Sequence, residues 1–394
     1  MSIDLLQVKG VKCSSIASGI KKNNILDLSL ISLSKGSSTA AVFTRNIFCA
    51  APVIVSKNHL NSNIEALLIN SGNANAGTGE RGLEDCYNTC VYLAEELEIK
   101  PEQVLPFSTG VIGEFLPLEA FKSNVNILVS SLSKNGMSKV ANGILTTDLV
   151  EKSYSTSISI GGKTVTLSGV AKGSGMIRPD MATMLSFIVS DISASKEELQ
   201  DCLTHAVNQS FNRITVDGDT STNDACSLSA TNQSGVQLSQ CKGEFQKALN
   251  LVSKELAQMI VKDGEGATKF VEIKIEGLES SEDCLEVAYT IAHSPLVKTA
   301  LFAGDANWGR ILAAVGRAKV NGVSIENIDI YINGLQIIVS GEKSSTYTEE
   351  LGSAEMQKSE IIIRVNLGTT SLSESVWTTD LSYDYVKINA EYRS

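Results

Sequence analysis

Histidine is scarce in this chain: His59, His205 and His293 are the only three among 394 residues. That count excludes a histidine-rich zinc site and leaves a Ser-His-Asp triad little choice of base. Proline is scarce too, with six, and there is no polar spacer, low-complexity tract or internal repeat, so closely packed lobes are expected. No apolar run approaches the ~20 residues that a membrane-crossing helix needs. Positive charge is in deficit, with 33 Lys and Arg against 44 Asp and Glu and a formal net charge of -11. A general nucleic-acid binder carries the opposite sign. Residues Met1 to Gly10 include Asp4 and lack a basic start before an apolar stretch, so no signal peptide is expected. No CxxC pair occurs among the eight cysteines, which read as buried small hydrophobes in a reducing compartment. Cys86 and Cys90, four apart, share one face of an expected helix.

What is present is enough for a sizeable core: 43% of residues are hydrophobic and 20% charged. At roughly 150 residues per domain the length implies two to three lobes. Period-two runs alternate with amphipathic helical patterns, which makes this a mixed α and β chain. Ile158 and Ile160, Gly161-Gly162, then Val165 and Leu167 read as a hairpin. Ile328, Ile330 and Ile332, Asn333-Gly334, then Leu335, Ile337 and Val339 read as another, because both turn residues tolerate positive φ. Val271 to Ile275 and Ile361 to Val365 add strands. Ser195 and Glu198 have the spacing of a capping box before the helical face Leu199, Cys202, Leu203, Ala206 and Ser210. Phe245, Leu249, Val252, Leu256 and Met259 mark a second helix that should stop near Asp263-Gly264, and Leu83 to Ile99 a third. Hairpins mixed with helices argue against a doubly wound parallel sheet. The chain changes character near Lys172 to Thr183, which is where a boundary is expected.

Several segments carry polar groups at spacings that matter chemically. Gly77-Thr78-Gly79-Glu80-Arg81-Gly82 matches GxGxxG between a strand, Ala66 to Ile69, and a helix. A dinucleotide turn should be tight, but Asn70 to Ala76 separates strand from motif, so a polar connection is the plainer reading. Ser108-Thr109-Gly110 can aim a hydroxyl and backbone N–H groups at one point, as an oxyanion hole requires, although the same triplet describes ordinary turns. Asn212 to Asp224 lacks a calcium-loop pattern and reads as a network of Asx turns. Asp263-Gly264-Glu265-Gly266 either presents a carboxylate or simply ends a helix. Arg310 reads as structural or interface-forming. The aromatic-rich end, Tyr383 to Ser394, is expected to dock rather than fray.

The most informative stretch is Lys172 to Leu185, KGSGMIRPDMATML. If the chain cleaved itself before Thr183, that residue would carry a hydroxyl nucleophile and a free α-amine together. An α-amino group has an unperturbed pKa of about 7.7–8.0, so it can act as base for its own hydroxyl without a histidine. Small Ala182 and the glycine-rich approach leave room for the hydroxyl to attack the preceding carbonyl. The plainer alternative is a core strand that begins after a glycine loop.

Taken together, KGSGMIRPDMATML, STGVIGE, ITVDGDTSTNDACSL, KDGEGATK, LFAGDANWGRILAAVGRA and DYVKINAEYRS resemble the ornithine acetyltransferase (glutamate N-acetyltransferase) family of arginine biosynthesis. INSGNANAGTGE and TAAVFTRN fit as well, and the order holds along nearly the whole chain. The resemblance implies an α+β layered sandwich of sheets and helices, N-terminal-nucleophile-like with different connectivity. It implies cleavage between Ala182 and Thr183 into fragments 1–182 and 183–394, with Thr183 as nucleophile and Thr109 and Gly110 at the oxyanion hole. Thr146, beside Thr147, together with Lys172, Thr183, Glu265, Asn389 and Ser394, matches substrate-contacting positions. Lys172 either pairs with a substrate carboxylate or lowers the pKa of the Thr183 amine. The implied reaction moves an acetyl group from N2-acetyl-L-ornithine to L-glutamate through an acetyl-Thr intermediate. It uses no metal and no organic cofactor, with acetyl-CoA possible as a second donor. The implied assembly is a cytoplasmic heterotetramer of two copies of each fragment, with no nucleic-acid or membrane partner. The alternatives are a self-processed amidohydrolase or aminopeptidase that passes the acyl group to water, and a dinucleotide binder using Gly77, Gly79 and Gly82.

Overall fold

The computed structural model describes residues 5–178 and 184–391. The chain divides into two compact units, Met1–Asn212 with Asp219–Ile260, and Arg213–Gly218 with Val261–Ser394.

The first unit holds two sheets. One has the order β1-β2-β4-β5, from β1 (Val11–Ile16), β2 (Leu28–Leu33), β4 (Ala66–Asn73) and β5 (Val104–Val111). The other has the order β3-β9-β8-β7-β6, from β3 (Ser38–Phe43), β6 (Lys152–Ile160), β7 (Lys163–Lys172), β8 (Leu185–Ser190) and β9 (Ala225–Ala230). Inward residues of both sheets, among them Ile31, Leu67, Phe107, Val170, Phe187 and Ala225, form one apolar layer. Within it the Phe107 and Phe187 rings meet edge to face at 4.9 Å. The far face of the first sheet is covered by helices α1 (Ala51–His59), α2 (Gly79–Leu97), α3 (Leu118–Lys122) and α4 (Val125–Ser130). Cys86 and Cys90 point inward together from α2, as their spacing predicts, and burial pushes the Cys90 thiol up to about 12. Helix α5 (Met137–Gly143) packs beside β1, β2 and β7. The second sheet is backed by α6 (Lys196–Asn208) and α7 (Lys242–Lys262). A Cβ on Gly169 of β7 would sit 2.9 Å from the Leu256 side chain, so this glycine lets α7 lie close to the sheet. The result is a layered sandwich of sheets and helices, as the resemblance implies.

Strand β4 runs to Asn73, so Asn70 to Asn73, read above as part of a polar separator, belongs to the sheet. Parallel pairing with β5 accounts for this: the strand goes on finding ladder partners as far as Thr109 and Val111. No unit boundary falls near Lys172 to Thr183. Strands β7 and β8 flank that segment and pair antiparallel, with Lys172 opposite Leu185. Residues on both sides of the expected cut therefore belong to one sheet.

The second unit is built on a six-stranded sheet of order β13-β12-β11-β14-β10-β15. Its strands are β10 (Phe270–Glu276), β11 (Asp329–Ile332), β12 (Leu335–Val339), β13 (Glu342–Lys343), β14 (Glu360–Asn366) and β15 (Ser373–Thr379). Val271, Ile273 and Ile275 alternate inward with Ile361, Ile363 and Val365. Glu276 on the other face pairs with Lys274 at 2.6 Å and Arg364 at 3.1 Å. Helices α8 (Ser281–Ala292), α9 (Pro295–Ala303), α10 (Trp308–Gly316) and α11 (Glu349–Met356) add apolar residues to that core. Arg310 donates to the Leu296 carbonyl at 2.7 Å, a contact within this unit. The chain closes with α12 (Tyr383–Ala390).

Candidate active site

The Thr109-Gly110 turn of phrase in the sequence becomes the end of the parallel pair β4/β5, where Thr109 sits opposite Ser71 and Gly110 opposite Gly72. Gly110 has φ 133° and Gly72 φ 102°, both in the region that excludes a side chain. Neighbouring amides hold this end in shape. Asn223 Nδ2 donates to the Ala74 carbonyl at 2.6 Å and to the Ser108 carbonyl at 2.9 Å. Ser108 Oγ donates to Asn70 Oδ1 at 2.6 Å. The Asx network expected for Asn212 to Asp224 thus reaches the strand that carries Thr109.

Lys172, the last residue of β7, is nearly buried and donates from Nζ to Thr109 Oγ1 at 3.2 Å. Its partner across the site is Asp148, whose side chain is fully buried and lies 4.0 Å from Lys172 Nζ. Asp148 also accepts from Lys152 Nζ at 2.7 Å, from the Gly173 N–H at 2.7 Å and from the Thr146 N–H at 3.0 Å. Burial pushes the Asp148 carboxyl up, but the Lys172 and Lys152 charges outweigh it and hold the group well below the usual carboxylate range. Lys21 adds a third cation, donating to the Leu145 carbonyl at 2.6 Å. Burial lowers its pKa to about 8, with Asp27 and Asp148 opposing the shift and Lys172 adding to it. Asp224 is fully buried, which raises its carboxyl well above the ordinary range despite a Ser221 hydrogen bond and the Lys172 charge. One of its oxygens has no hydrogen-bond partner.

Thr109, Gly110, Lys172 and Thr146 are therefore gathered in the first unit, with Thr146 joined to the others through Asp148. Glu265 and Asn389 lie in the second unit and meet there, Asn389 Nδ2 donating to Glu265 Oε2 at 2.9 Å. Gly266 carries φ +66°, and a Cβ there would sit 2.4 Å from the Tyr385 nitrogen, so this glycine lets α12 approach the loop. The tail docks through polar contacts: Ser382 caps α12 and donates to the Gly266 carbonyl at 2.6 Å. Its aromatics do less than the sequence suggests, since Tyr383 is 82% exposed and meets Phe302 edge to face. Ala182, Thr183 and Ser394 lie outside the described residues.

The glycine-rich loop at Gly77 to Gly82 is filled by its own side chains. Thr78 Oγ1 donates to Asn75 Oδ1 at 2.8 Å, and Asn75 Nδ2 donates to the Gly82 carbonyl at 2.9 Å. A Cβ on Gly82 would lie 1.8 Å from Thr78 Oγ1, so this glycine serves internal packing and not a pyrophosphate. Among the described residues no group of three or more His, Cys, Asp and Glu is placed to hold a metal ion, and no helix is long and apolar enough to cross a membrane. His59 is engaged with the Val104 carbonyl and His293 with the Thr215 hydroxyl. Sequence reasoning missed Asp148, Lys152, Lys21 and the clamp by Asn223. Only the Asp148/Lys152 spacing of four residues hinted at a pair, and such spacing is common on solvated surfaces.

Comparison with known proteins shows the family. The ArgJ family model matches residues 12–394. The arginine biosynthesis bifunctional protein ArgJ of Pseudomonas syringae pv. tomato is 48% identical over 98% of this chain and 97% of its own. That of Methylococcus capsulatus is 48% identical over 100% of this chain and 97% of its own. The crystal structure of the Bacillus halodurans protein of the same name is 40% identical with a TM-score of 0.51, and covers 53% of this chain and 100% of the solved one. The chain belongs to the ArgJ family of arginine-biosynthesis acetyltransferases.

Proposed function

We propose that this chain transfers the acetyl group of N2-acetyl-L-ornithine to L-glutamate, yielding L-ornithine and N-acetyl-L-glutamate, after cutting itself between Ala182 and Thr183. The observation that carries the reading is the 3.2 Å contact of Lys172 Nζ with Thr109 Oγ1 beside a glycine that admits no side chain. A hydroxyl, a glycine backbone N–H and a cation close together suit a developing oxyanion and a carboxylate-bearing substrate.

In this mechanism the Thr183 amine accepts the proton of its own hydroxyl, and Oγ attacks the acetyl carbonyl. The Thr109 hydroxyl and the Gly110 N–H hold the oxyanion. The C–N bond breaks, the amine returns a proton to the leaving nitrogen, and ornithine departs from an acetyl-Thr183 ester. The glutamate amine then attacks that ester and regenerates the hydroxyl. Thr146, Lys172, Glu265, Asn389 and Ser394 bind the substrates. No metal or organic cofactor enters a step. Both substrates are α-amino acids, so one set of groups serves both halves of the cycle.

Two observations support cleavage. Strands β7 and β8 bring residues on both sides of the expected cut into one sheet, which would keep the fragments together. The solved Bacillus halodurans chain is wholly covered by 53% of this one, as a relative in two pieces would be. We further propose fragments 1–182 and 183–394, an assembly of two copies of each, a cytoplasmic location and acetyl-CoA as a second acetyl donor. The curated relatives carry the word bifunctional in their names.

Intact-mass measurement tests the reading directly. Two fragments meeting at Ala182/Thr183, lost in Thr183→Ala, together with glutamate-dependent formation of N-acetylglutamate, are expected. A single intact chain with full activity, or acetate release that ignores glutamate, would overturn it.

A further inference from the structure

We propose that Asp148 is a positioning residue of the acetyl-transfer site, holding Lys172 as a cation beside Thr109 and anchoring the backbone at Gly173, where β7 ends. This rests on the acyl-transfer reading above.

The geometry carries it. The Asp148 side chain is wholly buried, and its two oxygens divide the work. Oδ1 accepts from Lys152 Nζ and from the Gly173 N–H, each at 2.7 Å. Oδ2 accepts from the Thr146 N–H at 3.0 Å and faces Lys172 Nζ at 4.0 Å. One carboxylate thus ties together three segments at Thr146, Lys152 and Lys172-Gly173. Lys152, with no exposed side-chain surface, neutralises it. A buried pair of this kind contributes little net stability compared with an apolar pair, so placement is the better account of its presence. Among the described residues, charged groups that interact with Lys172 include Asp148, Lys21 and Asp224. Of these, Asp148 is the carboxylate whose ionised form its lysine neighbours favour; Lys21 repels, and burial raises the Asp224 carboxyl well above the ordinary range. Asp148 therefore favours a charged Lys172.

Asp148→Asn tests this, because the amide keeps an oxygen for one of the two backbone N–H groups and loses the charge. Two readings are taken on the full chain. One is the pH profile of kcat/KM for acetyl transfer to glutamate. The other is the rate at which a small acylating reagent labels Lys172 at pH 8, followed by peptide mass. Expected are a basic limb moved down by about one pH unit and labelling about fivefold faster. Folded Asp148→Asn protein with the wild-type profile and wild-type labelling overturns the inference. If Asp148→Asn alone does not fold, the double variant Asp148→Asn/Lys152→Met removes both buried charges and carries the same two readings. Failure of the wild type to acetylate glutamate would overturn the proposed function. Lys172 labelling would then decide the role of Asp148 independently.

Discussion

Gly110 lies so close to Gly72 that a Cβ on it would stand 2.3 Å from the Gly72 carbonyl carbon. The two strand ends touch through bare backbone, and that contact sets where Thr109 presents its hydroxyl. Gly110→Ala must push the strands apart as well as adopt an unfavourable φ. Its expected cost is about 2–4 kcal/mol of stability, read as a lower urea midpoint, with activity lost even in the folded fraction.

Thr109→Val should behave differently. It keeps the shape and removes the hydroxyl that meets Lys172 Nζ. If that hydroxyl faces the oxyanion, kcat falls by about 10²–10³ while KM changes little, and the urea midpoint stays near that of the wild type. A loss confined to KM would assign Thr109 to ground-state binding.

Asn223 spans two backbone carbonyls, Ala74 and Ser108, with one buried amide. Asn223→Ala leaves both without that donor. We expect a loss of about 2–4 kcal/mol in urea unfolding, together with faster hydrogen exchange in β5.

Asp148 makes stability depend on pH with a definite sign. Its folded pKa is depressed, so the unfolded chain binds its proton more readily. The contribution is complete above the unfolded value of about 3.9 and is lost as pH falls through the lower folded value. The stability gap between wild type and Asp148→Asn should therefore be constant near neutrality and shrink below about pH 4. A gap that widens on acidification would contradict the ion-pair assignment.

Ser382 both caps α12 and donates to the Gly266 carbonyl. Ser382→Ala should cost about 1 kcal/mol locally, seen as faster hydrogen exchange at Tyr385 and neighbouring amides. The Asn389 contact with Glu265 sits at the other end of that same helix, so KM should rise in step.

Much of the local structure could be read before the fold was known. The Asn333-Gly334 hairpin has positive φ at both turn residues, as the dipeptide demands. Ser195 and Glu198 form the reciprocal cap that their spacing predicts. The Leu83 to Ile99 pattern is α2, and the Phe245 to Met259 pattern is α7. These signals are legible because each is satisfied within a few residues of chain. The end of strand β4 is not legible for the opposite reason: Asn70 to Asn73 is polar, and only its partner β5 makes it a strand.

The sequence by itself determined the family, the hairpin and helix positions, and the residues Thr109, Gly110, Lys172, Glu265 and Asn389 as candidates, because motifs and periodicities are properties of the chain order. Tertiary structure alone decided which of them meet. Thr109 and Lys172 are 63 residues apart, Asp148 and Gly173 are 25 apart, and Glu265 and Asn389 are 124 apart. A lysine or an aspartate has no fixed charge environment until such distant segments exclude water around it. Burial and counter-charge, which separate a surface carboxylate from Asp148, arise only when the sheets close.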